Sequence, residues 1–175
     1  MALGQPHSTP LKPLYTAKQR LRRDSTRWTL VQGILAPLQF LVFLVSVVLV
    51  VRYLATGEGA FAATLSVVIK TAVLYTIMIT GALWEKAVFG HYLFVPAFFW
   101  EDVVSMLVML LHTAYLACVA FGWLGITGQL WLAMAAYAAY VINAAQFVWK
   151  FRLARLETPA VPAAGVAASL PGATR

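Results

Sequence analysis

WEKAVFGHYLFVPAFFWEDVVSMLVMLLH, residues 84–112, is the stretch on which the reading of this chain turns. It joins the end of one long apolar run to the start of the next through a short connector. Into that space it packs Glu85, Lys86, His91, Glu101, Asp102 and His112. Three of the chain's six acidic residues and two of its three histidines fall here. Ionisable groups at or inside a membrane boundary are costly to keep, and so they mark a site.

Outward from this stretch the text is apolar in long blocks. Residues 28–54, 61–84, 97–121 and 129–151 each reach the roughly 20 residues that cross about 30 Å of hydrocarbon. A chain that is 62% hydrophobic and 11% charged, with a mean hydropathy of +0.80, has too little polar surface to cover itself in water. The expected fold is therefore all-α, an integral membrane four-helix bundle over residues 28–151. Pro37 should kink the first span, and Gln32 and Gln39 within it need partners on neighbouring helices. That first run is too long for a signal-peptide core and is expected to be retained. The connectors TGEG (56–59) and GWLGITG (122–128) read as tight turns. Upstream, Thr16 and Gln19 have the spacing of a capping box, which predicts a basic juxtamembrane helix over 16–27. Residues 1–15 and 152–175, rich in proline and alanine, read as disordered tails.

The formal net charge is +7, but the basic residues do not form a nucleic-acid-binding face. Six of the thirteen lie between Lys12 and Arg27, and Lys150, Arg152 and Arg155 follow the last apolar run. This is the positive-inside pattern, with both termini and the 85–96 connector in the cytoplasm. The single cysteine, Cys118, excludes a disulfide framework and a thiolate metal cluster.

Topology converts sequence distance into depth at about 1.5 Å per residue. Glu85 and Lys86 close the second span at the cytoplasmic boundary, where Glu101 and Asp102 open the third. A carboxylate in a first helical turn is favoured by the helix dipole. Glu101, Ser105 and His112 share one helix face, while Asp102 points about 100° away, so one of the two acids should face inward. Lys70, in the second span, reaches the depth of His112 and must snorkel outward or pair with an acid or a ligand anion. Asn143 and Gln146 lie nearer the cytoplasmic end. The result is a polar stripe walled by Phe98, Phe99, Trp100 and Tyr115. It suits a flat apolar ligand with an anionic edge. Paired carboxylates can divide acid and base work, and histidine offers a base or an axial metal ligand.

Two tracts, LYTAKQRLRRDSTRWTLVQGILAPLQFLVFLVS (14–46) and WEKAVFGHYLFVPAFFWEDVVSMLVMLLHTAY (84–115), resemble the 3-vinyl (bacterio)chlorophyllide hydratases of bacteriochlorophyll synthesis in phototrophic bacteria. The resemblance covers roughly residues 14–122. It implies a membrane hydro-lyase that adds water across the 3-vinyl group of a chlorophyllide, giving a 3-(1-hydroxyethyl) group, in the bacterial inner (intracytoplasmic) membrane. It implies no cofactor, because the magnesium belongs to the substrate. Its partners would be the pigment, water, membrane lipid and other pigment-biosynthesis enzymes. Glu101 or Asp102 is then expected as proton donor and His91 as activator of water, with Glu85 beside them. His112 is expected on the magnesium, and Lys86 or a basic-tail arginine on the propionate. Lys70, Trp100, Tyr115 and Asn143 would complete the substrate-binding wall. A non-catalytic pigment carrier or photosystem assembly factor is the alternative expectation. A four-span drug exporter is a third, against which stands the lack of an acid in the first span.

Overall fold

In a computed structural model the chain is described over residues 14–156, with side chains to residue 154. His7, Lys12, Arg155 and most of both proposed tails lie outside the described side chains. Five helices follow one another: α1 (Ala17–Ser25), α2 (Arg27–Thr56), α3 (Ala60–Phe89), α4 (Phe99–Phe121) and α5 (Ile126–Leu156). Four of them, α2 to α5, are long and apolar enough to cross a membrane, and the protein is a multi-pass membrane protein.

Local chemistry sets the ends of these helices. Thr16 caps α1 by accepting from the Gln19 N–H, while the Gln19 side chain accepts from the Thr16 N–H. Gly57 ends α2 and Gly90 ends α3, both at positive φ (75° and 93°), where a residue without Cβ costs nothing. The Gly90 N–H donates to the Lys86 carbonyl. The helix runs five residues beyond the expected boundary at Trp84, to Phe89, and so Glu85 and Lys86 stand inside α3. The charges resemble a helix stop in sequence, but Glu85 is buried against the next helix and the glycine sets the end. At the same end of the bundle α5 continues to Leu156, where a tail was expected from residue 152.

α2 pairs closely with α3, and α4 with α5, as two antiparallel hairpins that meet along a thinner seam. The α2–α3 pair is held in register by polar contacts near its open end and further along towards the turn. Thr29 accepts from the Trp84 indole at 2.9 Å, Gln32 donates to Thr80 at 2.8 Å, and Ser46 meets Ser66 at 2.7 Å. Gln39, expected to find a partner likewise, is buried with neither amide atom hydrogen-bonded.

Two apolar clusters fill the interior. The larger, through the middle of the bundle, includes Phe43, Val67, Leu74, Val108, Tyr115 and Tyr137. The smaller caps the end where α1 lies and is aromatic: Tyr15, Trp84 and Phe98 with Phe89 and Phe147 around them. Tyr15, assigned to a disordered tail from composition, is 3% exposed and stacks on Phe89 at 5.8 Å. Burial pushes its hydroxyl up to about 12, although Arg23 lies 5.0 Å over the ring. Through this residue α1 is fastened over the same end of the bundle that carries the 84–112 acids.

Candidate active site

α4 begins after a turn in which the Phe98 N–H donates to the Val95 carbonyl, and its first turn carries Glu101 and Asp102. Both are buried, so the expectation that only one faces inward is corrected. Their 100° separation sends them to different neighbours rather than one to lipid. Glu101 turns to α5, where Lys150 donates to its Oε2. Asp102 turns to α3 and the connector. Its Oδ2 accepts from the Phe94 N–H at 2.7 Å, and its carboxyl meets that of Glu85.

Two carboxyl groups side by side in a buried site cannot readily both ionise, an arrangement suited to sharing one proton. The connector reinforces the pair. Phe94 adopts a left-handed backbone (φ 57°), rare for a bulky residue, and its N–H is the one that holds Asp102. One oxygen remains outside this arrangement: Glu85 Oε2 is shut off from solvent and has no hydrogen-bond partner.

Asn143 fixes the base of the site. Its Nδ2 donates to the Glu101 carbonyl at 2.9 Å and its Oδ1 accepts from Ser105 at 3.1 Å, locking α5 to the first turns of α4. Lys150, read in sequence as one of several basic tail residues, is the cation of the site. It stands seven residues after Asn143, on the same helix face, and that spacing was the available signal. Phe94 had none, since a connector's dihedral angles leave no periodic trace.

Other expected members lie elsewhere. Trp100 is 69% exposed and points away from the stripe, which corrects its place in the wall. His91 and Lys86 are exposed on the connector side, with Lys86 4.5 Å over the Tyr92 ring. Tyr115 sits wholly within the apolar core. Lys70 neither snorkels nor meets an acid. Fully buried, it contacts His112 Nε2 at 2.9 Å and lies 4.1 Å over the Tyr140 ring. His112 Nδ1 meets the Val108 carbonyl at 2.8 Å, so that nitrogen carries the hydrogen and Nε2 accepts from Lys70. Both imidazole nitrogens are thereby occupied, and the role of axial ligand is corrected: no lone pair is left for a metal.

The fold and this cluster define a class: a polytopic membrane protein with a buried cluster of acids at one end of its bundle. Within that class the chain belongs to the 2-vinyl bacteriochlorophyllide hydratase family, whose model matches residues 15–153. The protein so named in Cereibacter sphaeroides is 63% identical over 158 residues, covering 87% of this chain and 95% of the relative. Its counterpart in Rhodobacter capsulatus is 62% identical over 159 residues, covering 88% and 90%. The family match extends through α5, beyond the residues that carried the resemblance. These names give the vinyl group the locant 2 where the resemblance used 3; the reaction described is the same. No solved structure matches the chain.

Proposed function

We infer that the acids at the start of α4 carry out the chemistry of this hydratase. The reaction is addition of water to the vinyl group of a bacteriochlorophyllide in bacteriochlorophyll synthesis. The observation that carries the assignment is the contrast between adjacent residues. Asp102 lies against the Glu85 carboxyl, a pairing suited to sharing a proton, whereas Glu101 meets the amino group of Lys150. Hydration of an alkene asks for both an acid and a base within reach of two neighbouring carbons.

The steps balance with water alone. The Glu85–Asp102 pair gives its proton to the terminal vinyl carbon, which becomes a methyl group. The π electrons form that C–H bond, leaving a cation at the inner carbon, conjugated with the macrocycle. Water attacks this carbon, and Glu101 accepts the proton the water loses. That proton returns to the carboxyl pair, so one water is consumed and the protein is unchanged. No electron leaves the substrate, and neither a redox nor a nucleotide cofactor enters the reaction. The magnesium stays with the substrate throughout.

The charge tally supports an orientation with the α1 end, and with it this site, at the cytoplasmic face of the bacterial inner membrane. Reporter fusions check the orientation: Gly59 and Gly125 should score periplasmic and Gly90 cytoplasmic. A periplasmic score at Gly90 overturns it. The function is tested with purified protein in nanodiscs, given chlorophyllide and ¹⁸O-labelled water. The hydroxyethyl product should form without added nucleotide and carry the label. Bound pigment with no product would instead favour a carrier.

A further inference from the structure

Two buried carboxyl groups meet where α3 ends and α4 begins, and their surroundings are unequal. Glu85 is 5% exposed and Asp102 3%. Asp102 Oδ2 accepts from the Phe94 N–H at 2.7 Å. Phe94 reaches it from a left-handed backbone (φ 57°), which a bulky residue keeps only where its surroundings impose it. Asp102 also stands in the first turn of α4, where the helix dipole favours a negative charge. Glu85 stands near the C-terminus of α3, where the dipole disfavours one. Its Oε2 is shut off from solvent and has no hydrogen-bond partner. A bare oxygen costs far more on a buried carboxylate than on the C=O of a neutral carboxyl group. Glu101 and Lys150, the other ionisable groups beside the pair, are an acid and a base bonded to each other. They therefore add little net field that would reverse this inequality.

Building on the hydratase reading above, we propose that the proton of this pair resides on Glu85, with Asp102 as the carboxylate beside it and Phe94 as the residue that positions Asp102. The Phe94 N–H holds the charged form of Asp102, because a hydrogen bond donated to a carboxylate favours that form. The proton on Glu85 points to Asp102, which leaves Oε2 an uncharged carbonyl oxygen. Glu85 is then the catalytic acid, and its O–H bond breaks as the C–H bond of the new methyl group forms. The proton that Glu101 takes from water returns to Glu85, while Asp102 keeps its charge throughout the cycle. A fixed anion at Asp102 favours the cation that forms on the substrate. One backbone N–H and two helix ends thus divide a pair of like side chains into a donor and an anion.

Turnover does not separate the two carboxyl groups, since losing either should slow the enzyme, so the test is infrared spectroscopy of the resting protein. Full-length protein is made by cell-free synthesis, placed in nanodiscs near neutral pH and measured without pigment. Exposed carboxyl groups are ionised there, and the C=O stretch of a neutral carboxyl group reports a buried proton. That band should move when glutamate carries ¹³C in its side-chain carboxyl and stay when aspartate does. It should vanish in Glu85→Gln and persist in Asp102→Asn. The labelled parent protein decides the matter even if a variant does not fold. A band that follows the aspartate label, a band that survives Glu85→Gln, or no band at all overturns the proposal. The part played by Phe94 is read by replacing it with phenyllactic acid, its α-hydroxy analogue, which keeps the ring and removes the N–H. About half of the band or more should then follow the aspartate label, because the charged form of Asp102 has lost its donor. A band still wholly on glutamate would overturn the role of Phe94. These spectra need no substrate. A protein with the proton on Glu85 that forms no hydroxyethyl product would remove the hydratase reading and leave the assignment. Full hydration with the proton on Asp102 would do the reverse.

Discussion

The molecule holds two buried polar clusters, and they are built on opposite principles. At mid-bundle, Lys70, His112, Tyr137 and Tyr140 form a closed set. Each imidazole nitrogen is used, the ammonium group lies over two aromatic rings, and the Tyr137 hydroxyl meets Ser46. At the α1 end, the acids form an open set. Glu85 Oε2 lacks a partner, Phe94 holds a left-handed backbone, and Glu101 forms the wall of a groove. A closed cluster adds to the specificity of packing and gives a ligand nothing to bind. An open one carries backbone strain and unsatisfied groups that the rest of the fold must offset, which is where function is expected. Both would be read as ionisable residues in a membrane span. Only their satisfaction separates them.

The largest effects should come from removing the shared proton. Glu85→Gln or Asp102→Asn should lower kcat by about two decades or more, the scale of a general acid. Pigment binding, measured alongside, should persist. The rate should also fall as pH rises through the range where the pair gives up that proton, since the donor is the protonated form. A flat profile on the alkaline side, or full turnover in both variants, would return the acid role to Glu101. A smaller loss, about one decade, is expected for Glu101→Gln, because water attacking a cation depends less on its base. Lys150→Met should match it, for it strips the carboxylate of its partner, and Lys150→Arg should recover much of the rate. If Lys150→Met is silent, the ion pair has no part in the contrast drawn here.

Hydrophobic run length and turn chemistry made the four spans legible in sequence, and the Thr16–Gln19 capping box was visible at single-residue resolution. Depth was legible too, because helical rise alone brings Lys70 level with His112. What the sequence could not convey is rotation and satisfaction. Trp100 and Glu101 are neighbours, and nothing in their spacing says that one faces outward and the other lies buried. Whether Lys70 meets an acid, an anion or an imidazole depends on how two hairpins dock, which is a tertiary fact. The same holds for Gln32 and Gln39, alike in sequence, of which one finds Thr80 and the other finds nothing.

The smallest effect on rate, and the sharpest test of the comparison, is expected at the closed cluster. His112→Ala removes the acceptor of a fully buried Lys70 and opens a cavity beneath Tyr137, whose ring centroid lies 5.9 Å from the imidazole. A buried donor left unsatisfied costs about 1–3 kcal/mol, more when charged, so the variant should unfold at lower temperature or lower denaturant. Lys70→Met with His112→Leu removes both partners together and replaces them with apolar side chains. That double variant should regain much of the lost stability, because paired replacement strands no polar group. In both proteins, kcat and KM per folded molecule should stay within about threefold of the parent, since surface and core changes away from a site act mainly on folding. Thermal unfolding and steady-state turnover on the same nanodisc preparations separate the two quantities. A stable His112→Ala protein that has lost chlorophyllide binding would show that the deep cluster meets the pigment after all. The line between the closed and the open region would then have to be redrawn.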